Sequence, residues 1–387
     1  MPFDFLDPVE QEIVEFVSSL SLQHIGAKVT LHTEDFSPDL DTTKIAILGI
    51  PENRGAEFAE KEIDLLLFRK EFYKLYTGNW DCKITDLGNI RLGDALSDTY
   101  FAIKEVTSAL LKKNITLIVI GGSQDLTYPL YRAYDNLDKM VNLVSVDSKF
   151  DFGTSNLPMS MDSYLTKIVM EQPNNLHNYS NLGYQTYFAS QEEIDLMDKM
   201  FFEPYRLGEI AADISITEPV LRDADIVSVD LTSIQSAYTG NFYKFVPNGF
   251  TGKEICAVSR YAGISDRVSV FGVFNQEGDL RSEAVLQAQI VWYFIEGYTY
   301  RYNEYPIKDL SNHTKYIVTF EDDEDMVFYK SEFSQRWWMQ IPIDLNVKNK
   351  LNKFALLPCR EGEYQEATRG NYPERWWKEQ KKVHSIQ

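Results

Sequence analysis

The sequence predicts an α/β protein whose mostly parallel sheet is covered by helices on both faces. Three short apolar runs, each typical of a buried strand, carry this prediction, and they span residues 115–120, 141–146 and 226–229. Helical segments stand between these runs, and strands that alternate with helices indicate βαβ units. Each run ends on a turn that carries an acid. The carboxyl ends of parallel strands form the edge where open α/β sheets bind ligands.

The remaining elements follow from periodicity and from capping residues. An amphipathic helix is predicted over about residues 9–22, and a second helix, capped by Ser97, over residues 97–113. Other expected elements are a strand at 44–50, a helix at 60–76, strands at 181–188 and 268–274, and a helix at 281–296 that Gly297 ends. Residues 314–320 and 326–329 flank an acidic turn at 321–325, which is the pattern of a β-hairpin.

The pattern of apolar and polar residues changes near residue 310, and this change predicts that the chain has two structural parts. We expect an α/β domain over residues 1–308, followed by a C-terminal hairpin and a tryptophan-containing tail over residues 309–387. A chain of 387 residues is long enough to bury a large core.

Composition and charge exclude several classes of function. A formal net charge of −20 repels nucleic acid and anionic lipid, but it permits a cationic small molecule or a protein partner. Three scattered cysteines are typical of reduced thiols. The first residues lack the basic and apolar regions of a signal peptide, and no run approaches the length of a membrane-spanning helix, so we expect a cytoplasmic protein.

Three aspartates in the turns are the candidate site residues. Asp147 and Asp151 follow the second apolar run, and Asp230 follows the third. Carboxylates at this spacing can share a hard cation, although strand-end aspartates also cap helices or pair with a lysine such as Lys149. None of the five histidines stands in these turns.

The turn motifs resemble those of the ureohydrolase superfamily of arginase, agmatinase and formimidoylglutamase. The matching segments are Gly121-Gly122-Ser123-Gln124-Asp125, Asp147-Ser148-Lys149-Phe150-Asp151 and Ser228-Val229-Asp230-Leu231-Thr232. The resemblance covers roughly residues 40–300 and is nearest to formimidoylglutamase. It implies a three-layer α/β/α arginase-like fold with a central parallel sheet of about eight strands.

The resemblance also implies a binuclear manganese site whose ligands are only partly present. Asp147, Asp151 and Asp230 match ligand aspartates of the family, whereas Gln124, Lys149 and Thr232 stand at three other ligand positions. We expect the Lys149 ammonium to lie between two carboxylates, where a metal would sit. No cofactor is therefore expected, and the three aspartates are interpreted as remnant ligands.

Three functions stay open at this point. The favoured one is a catalytically degenerate family member, a pseudoenzyme that acts through protein–protein interaction or as a scaffold. The alternative is a hydrolase of linear amidines or guanidines with an altered metal site, which would use binuclear manganese if the family chemistry holds. The third is a sensor that binds a cationic amine in the acidic crevice.

Two Arg-Trp-Trp triplets stand in the C-terminal part. We expect the tryptophans of the first, at residues 336–338, to belong to a core. The second is Arg375-Trp376-Trp377, which follows Tyr372-Pro373, so we expect an extended segment there. Tryptophan and arginine are enriched in binding hot spots, so this triplet is predicted to contact a protein partner or a second copy of the chain.

Overall fold

A sheet of ten strands forms the centre of the structure. The structure is a computed structural model, and it describes residues 2–56, 63–137, 139–153, 158–305, 309–320, 325–342 and 356–386. The strands of this sheet are β1 (Leu6–Asp7), β2 (Thr30–Leu31), β3 (Ile45–Gly49), β4 (Ile84–Ile90), β5 (Thr116–Ile120), β6 (Val141–Val146), β7 (Leu176–Tyr184), β8 (Glu203–Arg206), β9 (Ile226–Asp230) and β10 (Val270–Phe274).

The strand order is β1-β4-β3-β5-β10-β9-β6-β7-β8, and β2 pairs with β4. All neighbouring pairs are parallel except β1 with β4. The predicted parallel sheet is thus confirmed. The two strands beyond the expected eight, β1 and β2, are each only two residues long.

Helices cover both faces of the sheet and make three layers. They are α1 (Gln11–Ser18), α2 (Leu65–Tyr73), α3 (Leu96–Lys112), α4 (Thr127–Arg132), α5 (Tyr164–Met170), α6 (Gln191–Lys199), α7 (Leu207–Ala212), α8 (Thr217–Arg222), α9 (Ser236–Thr239), α10 (Gly252–Ile264) and α11 (Leu280–Thr299). Successive residues of a strand point to opposite faces. Accordingly, Ile47 packs in the core beneath α2, α10 and α11, whereas Leu48 packs in the core beneath α3, α4 and α5.

Several elements differ from their expected bounds or caps, and helix α1, at Gln11–Ser18, is shorter than the predicted helix at 9–22. Strand β7 begins at Leu176 and not at residue 181, because the Asn-rich stretch before it pairs with β6. Helix α11 continues past Gly297 to Thr299. The backbone N–H of Ala95, the residue before α3, donates to the Asp98 carboxylate, so Asp98 and not Ser97 caps this helix.

Two glycines allow α10 and α11 to pack in direct backbone contact. A Cβ atom at Gly263 would lie 2.0 Å from the Phe294 carbonyl oxygen, and one at Gly297 would lie 2.3 Å from the Arg260 carbonyl oxygen. Gly297 therefore serves helix packing and does not end the helix.

Gly263→Ala is expected to lower the free energy of unfolding by about 1–3 kcal/mol, because the added methyl group forces the two helices apart. Gly208→Ala is the matched control, since a Cβ atom there meets nothing within 4 Å and alanine favours a helix by up to about 1 kcal/mol. Urea denaturation of both variants checks this prediction. Equal stability of Gly263→Ala and the unmodified protein would contradict the close contact.

The C-terminal part contains a second, antiparallel sheet of four strands in chain order. Its strands are β11 (His313–Thr319), β12 (Asp325–Ser331), β13 (Trp337–Gln340) and β14 (Leu356–Cys359). Strands β11 and β12 confirm the predicted hairpin, and residues 321–324 of its acidic turn lie outside the described residues. Trp337 and Trp338 are 5% and 6% exposed, which confirms the core prediction for the first triplet.

Two helices, α12 (Glu361–Thr368) and α13 (Glu374–Ile386), end the chain. The expected extended conformation of Arg375-Trp376-Trp377 is wrong, because all three residues lie on α13. Trp376 is 5% exposed and its Nε1 donates to the Gln340 carbonyl oxygen at 2.8 Å, whereas Trp377 is 45% exposed. The helix thus buries one indole against the C-terminal sheet and leaves the other half exposed.

Charged side chains tie α13 to β7 and β8. Arg375 Nε donates to the Glu203 carboxylate at 2.9 Å, and its Nη1 donates to the Pro358 carbonyl oxygen at 2.6 Å. Further along the helix, Glu379 pairs with His177 at 2.5 Å. Burial alone would raise the pKa of Glu379, but the nearby positive charges outweigh it and lower that pKa to about 2. The C-terminal helix is therefore an integral part of the packed structure.

None of the helices in the described ranges is both long enough and apolar enough to span a membrane.

Candidate functional site

The three acid-bearing turns meet at one edge of the sheet. Strands β5, β10, β9 and β6 are consecutive neighbours, and all four run in the same direction. The turns after β5, β6 and β9 therefore lie side by side at the carboxyl edge. Gly121 and Gly122 have φ angles of 107° and 67°, a backbone conformation that glycine adopts without strain. This turn brings Gln124 back toward the strand ends.

Asp147, Asp151 and Asp230 form a buried carboxylate cluster, in which the side chains are 1%, 6% and 4% exposed. Burial raises the pKa of each carboxyl group. The negative charge of Asp147 raises the pKa values of Asp151 and Asp230 further. The structure thus brings the three sequence-predicted aspartates together, close enough for their charges to act on one another.

Local hydrogen bonds hold two of these carboxylates in place. Asp147 Oδ1 accepts from the Lys149 backbone N–H at 2.9 Å. Asp230 accepts from the Thr232 backbone N–H at 2.7 Å and from the Thr232 hydroxyl at 2.6 Å. Among the described residues, the second oxygen of Asp147, Oδ2, has no hydrogen-bond partner. An acceptor in the crevice is therefore available to a ligand.

Gln124 is fixed by a hydrogen-bond network on the floor of the crevice. Its backbone N–H donates to Asn275 Oδ1 at 2.9 Å, and its Nε2 donates to Ser228 Oγ at 3.3 Å. Ser228 Oγ in turn shares a hydrogen bond of 2.7 Å with Thr127 Oγ1. Gln124 also lies close enough to Asp147 to lower the pKa of that carboxyl group. Its amide therefore occupies the position beside the carboxylates.

Lys149 is placed differently from the expectation. Its Nζ donates to the carboxylate of Asp162 at 3.2 Å, and both side chains are about half exposed, with values of 48% and 49%. The ammonium group therefore does not lie between Asp147 and Asp151. Its positive charge still acts on the cluster. Burial raises the pKa of Asp147, and the charge of Lys149 offsets part of that rise. The physical reason is that an exposed ion pair with Asp162 leaves the ammonium partly hydrated.

A fourth buried carboxylate, Asp125, was not among the predicted site residues. It is 0% exposed, and it accepts a short hydrogen bond from the Tyr100 hydroxyl. Burial raises its pKa. Gly55, in the exit loop of β3, lies so close that a Cβ atom there would be 2.2 Å from Asp125 Oδ1. Its place in the turn after β5 was the available signal, because the same kind of position identified Asp147 and Asp230.

A pocket of about 420 Å³ opens beside the cluster at the same sheet edge. Gln185, Arg206 and Gln235 contribute polar groups to it, and Tyr187 adds an aromatic ring. None of the three aspartates lines this pocket, but it adjoins the turn that carries Asp147, since the Gln185 backbone N–H donates to the Ser148 carbonyl oxygen at 3.0 Å. Pockets of a few hundred Å³ accommodate small molecules.

The sequence profile of the arginase family matches residues 43–294, which is more than half of the chain. The chain belongs to the arginase family. No curated protein is significantly similar to this family member in sequence.

Solved structures of arginase-family enzymes share the fold of this chain. A formiminoglutamase from Trypanosoma cruzi, solved with Mn²⁺, has a TM-score of 0.62 at 16% identity, over 68% of this chain and 96% of that one. The formimidoylglutamase from Bacillus subtilis has a TM-score of 0.61 at 13% identity, over 69% and 90% of the two chains. The agmatine ureohydrolase of Thermoplasma volcanium has a TM-score of 0.57 at 18% identity, over 76% and 99%. These comparisons agree with the resemblance that the motifs predict.

The side chains of this arginase-family member do not fit a binuclear manganese site. An ammonium group, as in Lys149, has no lone pair to donate, and the amide of Gln124 and the hydroxyl of Thr232 are weak, uncharged donors. We therefore derive the chemistry of the carboxylate cluster from its hydrogen bonds and its charges and not from a bound manganese pair.

Proposed function

We propose that this chain is a hydrolase of linear amidines or guanidines whose altered site works without the binuclear manganese chemistry. The observation that carries the proposal is the buried cluster of Asp147, Asp151 and Asp230, from which the nearest lysine, Lys149, is drawn away by Asp162. Three buried carboxylates without an inserted cation favour a cationic ligand. Family membership and the hydrolase fold of its structural neighbours support the same class of reaction.

An amidinium or guanidinium group matches the cluster in charge and in shape. Its N–H groups lie in one plane and can donate to two carboxylates at once. Asp147 has an unsatisfied oxygen, Oδ2, and Asp230 is oriented by Thr232, so these two aspartates hold the cation. The neighbouring pocket at Arg206 and Gln235 accommodates the rest of the substrate.

Asp151 is assigned the role of general base. It accepts a proton from a water molecule whose oxygen forms a bond to the amidine carbon. The C–N bond then breaks, and the leaving nitrogen takes the proton from Asp151 and departs as ammonia or an amine. Proton transfer of this kind contributes about 10²–10⁴-fold to a rate. The expected turnover is correspondingly slow.

Release of ammonia, urea or formamide from N-formimidoyl-L-glutamate, agmatine and L-arginine tests this function. We expect turnover of at least one of these compounds that persists after dialysis against EDTA. Asp151→Asn is expected to lower kcat by about 10²–10⁴-fold, because the amide cannot accept the proton. Asp35→Asn is the matched control, since Asp35 is an exposed aspartate that belongs neither to the carboxylate cluster nor to the pocket beside it. Absence of turnover with all three compounds contradicts the hydrolase proposal.

A second candidate is a non-catalytic family member that acts through a protein partner or a second copy of the chain. The observation that favours it is the network of Gln124, Ser228 and Asn275, which fills one of the family's ligand positions with uncharged groups. The half-exposed Trp377 on α13 is then the proposed contact residue. Sedimentation of the unmodified protein and of Trp377→Ser measures whether this indole holds an assembly. A monomer in both cases contradicts self-association.

A further inference from the structure

A second cleft lies at the opposite edge of the sheet from the carboxylate cluster. Its walls come from Lys44, which precedes β3, from the loop at residues 78–82, which precedes β4, and from the end of α11 with Arg301 beyond it. These positions are at the amino ends of the strands. The cleft has a volume of about 760 Å³, within the range of small-molecule sites. It is thus separate from the crevice described above.

Arg301 is a partly buried cation in the wall of this cleft, and its guanidinium lies over the Tyr298 ring, 4.1 Å from the ring centroid. Its Nε donates to the Gly263 carbonyl oxygen and its Nη2 donates to the Val268 carbonyl oxygen, both at 2.9 Å. Within the described ranges, no carboxylate forms an ion pair with it, and no protein group accepts from its Nη1. Burial lowers the pKa of Arg301 to about 10. Asp266 and Tyr298 offset only part of the effect of burial, so a partly buried cation without a carboxylate in ion-pair contact favours an anionic ligand.

Two indoles form an aromatic wall in the same cleft. The ring centroids of Trp80 and Trp292 are 5.4 Å apart. The Trp292 Nε1–H donates a hydrogen bond of 2.7 Å to the Tyr76 carbonyl oxygen. Both rings pack on the core with one part and remain partly exposed in the cleft with another. Partly exposed indoles are suited to stacking on a planar ring.

The charges of the cleft differ from the strongly negative charge of the whole chain. Lys44 is exposed, and no ion pair engages it in the described part of the chain. Of the two acids in the wall, Glu296 is paired with Arg260 at 2.6 Å, and Asp81 is exposed to solvent. Lys44 and Arg301 together outweigh Asp81. The local charge therefore attracts an anion although the chain carries a formal net charge of −20.

We propose that this cleft binds a small molecule that joins a planar aromatic ring to an anionic group. The ring stacks on Trp80, with Trp292 beside it at an interplanar angle of 45°, and the anionic group accepts hydrogen bonds from Arg301 and Lys44. A carboxylate and a phosphate share this chemistry, and both are acceptors for a guanidinium group. The site is independent of the proposed hydrolysis, because it shares no residue with the carboxylate cluster.

Isothermal titration of the full-length chain tests the site with two pairs of probes. Adenosine 5′-monophosphate is compared with adenosine, and benzoate with benzyl alcohol, so that each anion has a neutral partner with a similar ring. We expect at least one anion to bind about tenfold more tightly than its neutral partner, as a charge-assisted hydrogen bond provides. Which of the two anions binds more tightly distinguishes a phosphate ligand from a carboxylate ligand.

Variants assign the binding to this cleft. Trp80→Leu is expected to weaken the tighter-binding anion by about tenfold through lost stacking, and Lys44→Met by about fivefold through lost charge. Lys44 and Trp80 are used because Arg301 is partly buried and its replacement would also change the fold. Lys253→Met is the matched control, since Lys253 is exposed and lines neither this cleft nor the adjoining pocket that Arg301 also lines. The proposal is overturned if neither anion binds at millimolar concentration, if the neutral partners bind as tightly, or if Trp80→Leu and Lys44→Met leave the affinity unchanged.

Discussion

Arg375→Ala is expected to lower the free energy of unfolding by about 3–5 kcal/mol, the cost typical of leaving a buried charge without its partner. Arg375 is 9% exposed and lies on α13, where it neutralises Glu203 in β8 at a distance of 2.9 Å. Without the guanidinium, the Glu203 carboxylate stays buried and loses its strongest source of positive charge. The Pro358 carbonyl oxygen also loses a hydrogen bond.

Chemical denaturation measures this change, and two variants on the same helix calibrate it. Lys381→Ala removes an exposed cation and is expected to change stability by less than about 0.5 kcal/mol. Arg375→Met with Glu203→Leu replaces both charges by apolar groups and is expected to recover most of the loss. A loss below about 1 kcal/mol for Arg375→Ala would show that α13 does not stabilise the α/β part.

Restoring the missing ligands is expected to create a manganese site. The triple variant Gln124→His, Lys149→His and Thr232→Asp places two imidazoles and a carboxylate at the positions that distinguish this chain from the family pattern. The Gln124 side chain already approaches Asp147, and Thr232 already touches Asp230, so new ligands at these two positions face the cluster. We expect Mn²⁺ affinity to rise by about tenfold or more, since even outer partners of metal ligands change affinity by 10–100-fold.

Elemental analysis after dialysis, together with titration of Mn²⁺ into the protein, checks this expectation. Asp162→Asn within the triple variant is a useful companion, because it removes the carboxylate that holds the side chain at position 149 toward the rim. If the triple variant gains no affinity, the surrounding hydrogen bonds have also diverged, and the network of Ser228 and Asn275 would be the first place to look.

The carboxylate cluster is predictable from the sequence because its determinants are local. Asp147 and Asp230 stand directly at the ends of runs of buried apolar residues, Asp151 comes four residues after Asp147, and parallel strands deliver their carboxyl ends to one edge. The sequence therefore predicts that Asp147, Asp151 and Asp230 lie together. The direction of the Lys149 side chain could not be predicted, because its partner, Asp162, lies in a segment without apolar periodicity.

The C-terminal helix and strand β7 were harder to predict for a single physical reason. The first part of β7 contains His177 and Asn178, polar residues that resemble a loop when only neighbouring residues are considered. Their partners are Glu379 and Lys382, about two hundred residues later in the chain. Helix α13 is equally polar in sequence because it presents charged groups to this buried surface. Each segment is compatible with burial only when the other is present.

The long separation in sequence between α13 and its partners in β7 and β8 also affects the order of folding during synthesis. Glu203 in β8, and His177 and Asn178 in β7, are translated long before the residues that satisfy them. Until α13 has been synthesised, one end of the large sheet presents these polar groups to water and cannot complete its burial. The burial of this end of the sheet therefore depends on α13, and a truncation within that helix would leave it unfinished.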